Sequence, residues 1–174
     1  IERYPHSLER PSVRTDSYER ANIEGMYRVR YTGSTRDRDW EVVFHLYKNG
    51  YIKRRTTPRS VESYTDRARY VNEARRSGIA ESLGEVLYST ASELGFDSKQ
   101  LQLEFLIDFV QSLPYVTDDV SRDFDDYSKY VHETIVDAQG DCEDTSILLA
   151  SVVQSSYFGL DAALLIPPGH MGVG

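Results

Sequence analysis

The chain has 174 residues, enough for one well-packed domain with a small appendage and too few for two full ones. A formal net charge of −8 and a pI near 5.0 argue against a nucleic-acid backbone or an anionic membrane surface as the principal partner, because both carry the same sign. One cysteine excludes an intrachain disulfide framework and, without a histidine cluster, a thiolate-rich zinc site, so neither a metal nor a cofactor is expected.

No apolar stretch reaches membrane-spanning length: the run from Ile147 to Ile166 is broken by Gln154-Ser155-Ser156 and by Gly159-Leu160-Asp161. The start at Ile1 lacks the basic-then-apolar order of a secretory signal peptide, which makes a soluble, cytoplasmic setting the expectation while localisation stays open.

Residues 1–22 are polar, with Pro5 and Pro11, and are expected to form an extended arm. Residues 23–60 are expected to form a small antiparallel unit. Tyr27, Val29 and Tyr31 alternate with Arg28 and Arg30 in a first strand, a turn covers Gly33 to Asp39, and Trp40 to Tyr47 forms a second strand. Asn49-Gly50 predicts a hairpin with Tyr51 to Arg54 as the returning strand, and the cluster Lys53, Arg54, Arg55 and Arg59 is expected to be its solvated face.

Residues 61–174 are expected to be a helical core forming one compact unit with 23–60. Tyr64, Ala68, Val71 and Arg75 share one side of a first helical segment; Ile79, Leu83, Leu87, Ala91 and Leu94 mark a second, with Gly78 between them and Gly95 as the stop. Ser98 caps a further helix that buries Leu101, Phe105, Ile107, Phe109, Val110 and Leu113 and ends at Pro114. Tyr115-Val116 is a short extended piece. The acidic loop Asp118 to Tyr130 carries Asp123, Asp125 and Asp126, but lacks the spacing, central Gly and terminal Glu of a calcium loop. His132 to Ile135 continues this loop toward the cysteine.

Gly140-Asp141-Cys142-Glu143-Asp144 precedes an apolar helix running toward Gly159. Asp141 is the expected N-cap, Asp144 three residues later completes a capping-box-like pattern, and Cys142 takes the first helical position. The helix end lowers a thiol's pKa, whereas Asp141, Glu143 and Asp144 oppose that effect. Ala162 to Ile166 reads as a buried strand, Pro167-Pro168-Gly169 as a sharp connection, and His170 to Val173 as a strand returning beside it.

Cys142 and His170 supply a thiol and a proton acceptor for nucleophilic catalysis, and amides at the helix start, including that of Cys142, are suited to receive an oxyanion. The blander reading is that Cys142 is a small buried hydrophobe, as free cysteines often are. His6, His45 and His132 are expected to be structural or solvent-facing.

The residues Lys129 to Thr134, Gly140-Asp141-Cys142-Glu143-Asp144, Ile147 to Ala150, Gly159 and Pro168-Gly169-His170-Met171 resemble the core of the transglutaminase-like superfamily, its microbial, cysteine protease branch most of all. The resemblance implies an α+β, papain-like core with the cysteine at the start of a central helix packed on an antiparallel sheet. It further implies acyl transfer through a Cys-His-Asp triad, with Cys142 as nucleophile, His170 as general base and acid, and Asp141, Glu143 and Asp144 as capping and supporting residues. The orienting Asp of such a triad lies on the strand after the histidine strand, hence beyond residue 174, so that the core is expected to be truncated there. Tyr115, Tyr130 and His132, which stands where related proteins often have proline, are expected to line a substrate groove or to pack behind it.

The expected activity is therefore cysteine-dependent hydrolysis of a peptide or protein amide, with glutamine crosslinking as a related reaction. The competing reading is a noncatalytic transglutaminase-like binding or scaffolding domain. A thiol redox protein would need an external resolving thiol.

Overall fold

The computed structural model describes residues 10, 12–59, 64–117 and 127–174. The fold is α+β, and the described residues form a four-stranded antiparallel sheet, six α-helices and a two-stranded ribbon. Strands β1 (Val13–Arg14), β2 (Tyr18–Ile23), β3 (Met26–Thr35) and β4 (Arg38–Tyr47) follow one another in sheet order. The described end of the expected polar arm is thus β1 and β2. Its backbone polar groups pair with the neighbouring strand, and its alternation, with Arg20 buried between two half-buried neighbours, is too weak to mark a strand by hydrophobicity alone.

The β3–β4 hairpin turns on Arg36 and Asp37, whose φ angles of 50° and 60° suit a two-residue primed turn. Register pairs Thr35 with Arg38 and Tyr31 with Val42. Tyr27, Val29 and Tyr31 on β3 and Trp40, Val42, Phe44 and Leu46 on β4 are therefore buried on one face. Phe109 meets Tyr31, Trp40 and Phe44 there, with ring centroids 5.4, 6.1 and 5.8 Å away.

The returning strand expected after Asn49-Gly50 is instead helix α1 (Lys48–Arg55). Tyr51 and Arg55, four residues apart, form its buried side, and Lys53, Arg54 and Arg55 occupy the last turn, where cations are favoured by the helix dipole. The basic cluster is also not a solvated hairpin face. Arg55 and Arg59 are buried, and the Arg54 Nε donates to Glu73 at 2.9 Å.

A 3₁₀ turn (Tyr64–Arg67) leads into α2 (Ala68–Arg76), followed by α3 (Ile79–Glu93) and α4 (Lys99–Gln111). Gly78 and Gly95 take φ angles of 80° and 74°, breaking the chain where expected. The Ser98 hydroxyl accepts the Leu101 N–H at 3.2 Å, as an N-cap should. On α2 the buried face is Tyr70, Val71 and Ala74, not the stripe through Ala68 and Arg75, both of which are exposed.

The stretch expected to continue as a loop forms α5 (Val131–Asp137), and α6 (Cys142–Val153) follows. Helix α6 ends at Val153, six residues short of Gly159, whose φ of 61° closes a later turn. Helix α6 packs against α2, α3, α4 and α5 and against the ribbon of β5 (Leu164–Leu165) and β6 (Gly172–Val173), while α3, α4 and α5 also contact the four-stranded sheet. The central helix is thus separated from the main sheet by a helical layer, and the sheet it meets directly is the ribbon. The ribbon hairpin is present, but its first strand is short and Leu165 and Ile166 are 51% and 41% exposed, so it is not the buried strand expected. Among the described residues no helix is long and apolar enough to cross a membrane.

Candidate functional site

Helix α6 begins as its sequence dictates. The Asp141 carboxylate accepts the backbone N–H groups of Glu143 and Asp144, both at 3.1 Å, and Asp144 Oδ2 accepts the Asp141 N–H at 3.4 Å. This reciprocal box satisfies donors that the helix itself leaves unpaired. It also fixes Cys142 at the first helical position, half-buried.

Two neighbouring carboxylates are buried with cations. Lys129 and Asp144, both with fully buried side chains, pair through Nζ and Oδ2, and the Lys129 backbone N–H donates to Asp144 Oδ1 at 2.7 Å. Arg67, also buried, donates to Glu143 Oε2 at 3.2 Å while the Ser128 hydroxyl donates to Glu143 Oε1 at 2.7 Å. The supporting roles expected of Asp141, Glu143 and Asp144 therefore have specific partners. Arg67, Ser128 and Lys129 were not legible as those partners. Each lies far from the cysteine in sequence or in a segment without periodicity, and only the packing of the 3₁₀ turn and residues 127–130 against α6 brings them together.

Gly140 explains part of the motif. A Cβ there would lie 2.6 Å from Asp144 Cβ. Its backbone also bridges the segment after α4, with Val116 N–H donating to Gly140 O at 3.0 Å and Gly140 N–H to Pro114 O at 3.2 Å.

His170 is exposed, in the turn before β6, where its N–H donates to Pro167 O at 3.1 Å and Gly169 takes a φ of 72°. The next residue, Met171, is buried. Burial pushes the Cys142 thiol above its ordinary pKa; a hydrogen bond from the Met171 backbone N–H opposes that shift, and Asp141 and Glu143 add to it. The strand that follows, β6, packs against α6, so the chain returns to the cysteine helix.

The three aromatic residues expected near a groove separate. Tyr115, 65% exposed, borders a groove of about 300 Å³ with Gly140, Thr145, Leu149 and Val173 beside the start of α6. Tyr130 does not line that groove; its ring lies 4.6 Å from that of Tyr70 and 4.5 Å from the Arg59 guanidinium. His132 is buried on α5 and borders a different groove, with β4, α1 and α3, that shares no lining residue with the first. His45 is exposed on β4, whereas His6 and the acidic trio Asp123, Asp125 and Asp126 lie outside the described residues. Among the described residues no group of three or more His, Cys, Asp or Glu side chains is arranged to hold a metal ion.

Searches of family models, curated proteins and solved structures gave no match to this chain. Its functional reading therefore rests on the residues themselves. The site comprises a half-buried thiol at a capped helix start and a histidine next to buried Met171 on the segment that returns to that helix.

Proposed function

We propose that the protein is a cysteine-dependent acyl-transfer enzyme of the transglutaminase-like, papain-like type that hydrolyses a peptide or protein amide. Cys142 attacks the carbonyl as thiolate, and the Cys142 N–H at the start of α6 receives the developing oxyanion. His170 takes the thiol proton and returns it to the leaving amine; water then attacks the thioester, releasing the acid and regenerating the thiol. Glu143 and Asp144 hold buried cations and Asp141 caps the helix, so none of the three is assigned the role of orienting the His170 ring.

The observation that supports this reading is the packing of the β5–β6 ribbon against α6, with buried Met171 next to His170, which returns the histidine segment to the cysteine helix. The test is release of amine from a panel of short peptide amides by the full-length protein. Release by the wild type and not by Cys142→Ala supports the reading; equal release by both removes it.

The upward shift of the thiol favours a second reading, a noncatalytic scaffolding domain in which Cys142 stays protonated. It is distinguished by Cys142→Ala leaving partner binding intact and by the absence of any acylated Cys142.

A further inference from the structure

Two of the acids beside Cys142 meet buried cations supplied by other parts of the chain. Arg67, the last residue of the 3₁₀ turn before α2, reaches the carboxylate of Glu143, the second residue of α6, at 3.2 Å. Their side chains are 2% and 10% exposed, so water screens the pair only weakly. Both residues also take part in other interactions. The charged and polar groups around the thiol come from several elements. Asp141 caps α6 and Glu143 lies on it, Met171 with His170 beside it comes from the segment leading into β6, and Ser128, which holds Glu143, comes from the segment before α5. Lys129 acts one position further along, on Asp144.

We propose that Arg67 is a positioning residue for the Cys142 site, holding Glu143 and offsetting part of its charge so that the thiolate forms beside an ion pair instead of a bare carboxylate. An uncancelled negative charge on the adjacent residue disfavours a second one on sulfur, so removing Arg67 makes Cys142 less acidic and removing Glu143 makes it more so. A purely structural role, offsetting the burial of Glu143, predicts loss of stability without a shift in the acidity of the thiol. The catalytic meaning of the role rests on the reading of Cys142 as nucleophile, but the acidity of the thiol is measurable without turnover.

The test is the pH dependence of iodoacetamide alkylation on the full-length protein, read at Cys142 by peptide mass, for wild type, Arg67→Met, Arg67→Lys, Glu143→Gln and the double variant Arg67→Met/Glu143→Gln. Arg67→Met is expected to raise the alkylation midpoint by roughly one pH unit. Arg67→Lys stays near wild type, Glu143→Gln falls below it, and the double variant loses the upward shift. Unchanged midpoints in folded Arg67→Met and Glu143→Gln, or an equal rise in Arg67→Lys and Arg67→Met, overturn the proposal. Where Arg67→Met does not fold, Glu143→Gln decides, and an unmoved midpoint there is equally fatal. If the midpoints move but peptide amides are not cleaved, only the enzymatic reading falls; if Cys142 acylates while the midpoints stay fixed, only the role of Arg67 falls.

Discussion

The side chains of Lys129 and Asp144, fifteen residues apart in sequence, are both completely buried and paired, and Asp144 also accepts the backbone N–H groups of Lys129 and Asp141. One carboxylate thereby ties the segment before α5 to the cap of the cysteine helix. Lys129→Met leaves Asp144 charged and buried without its ammonium partner and is expected to cost about 3–5 kcal/mol in chemical denaturation. Lys129→Met/Asp144→Leu, which removes both charges, is expected to recover part of that loss.

Asp141→Ala removes the acceptor for two first-turn amides and is expected to destabilise the protein by about 1 kcal/mol, measured by urea denaturation. The same change removes one of the charges that raise the Cys142 pKa, so alkylation of the thiol is expected to shift to lower pH even as stability falls. The opposite directions of the two readouts separate the cap from the charge.

The capped cysteine helix was legible because Asp-Cys-Glu-Asp followed by an apolar run is a local pattern whose chemistry acts within one turn. Ser98, Gly78 and Gly95 were legible for the same reason. Asn49-Gly50 misled because the turn preference of two residues is weaker than the gain from burying Tyr51 and Arg55 on one helix face. The partner of Arg55 is on α5: Asp137 Oδ2 lies 3.3 Å away, and the Tyr51 hydroxyl donates to Asp137 Oδ1 at 2.9 Å. Arg59 likewise pairs with Glu133 and lies 4.5 Å from the ring of Tyr127. Such nonlocal partners leave no period in the sequence. Helix α5 was obscured similarly, since its last carbonyls are satisfied from the sheet, by the Tyr18 and Tyr31 hydroxyls donating to Val136 O at 2.6 Å and Ile135 O at 2.5 Å.

Gly140→Ala places a methyl group 2.6 Å from Asp144 Cβ, where neither backbone can yield without disturbing the cap. It is expected to cost about 1–3 kcal/mol in stability, read by chemical denaturation, and to lower peptide-amide turnover.

His132 is held neutral: burial, with Arg54 contributing, lowers its pKa to about 3, and its Nδ1 has no hydrogen-bond partner. The unfolded chain, with an ordinary imidazole pKa near 6.5, binds the proton first as pH falls. His132 therefore contributes its full stability above about pH 6.5 and loses it progressively toward pH 3, with a slope on the order of 1 kcal/mol per pH unit. Urea denaturation from pH 7 to 5, largely above carboxylate titration, is expected to show this loss in wild type and a flatter profile in His132→Phe.

The central claim is tested most directly by intact mass and peptide mapping of the full-length protein after brief mixing with an activated peptide ester. The account predicts one acyl group on Cys142, no acylation in Cys142→Ala, and slower acylation in His170→Ala. An iodoacetamide-accessible Cys142 that never acquires the acyl group, or acylation that His170→Ala leaves at the wild-type rate, would contradict it.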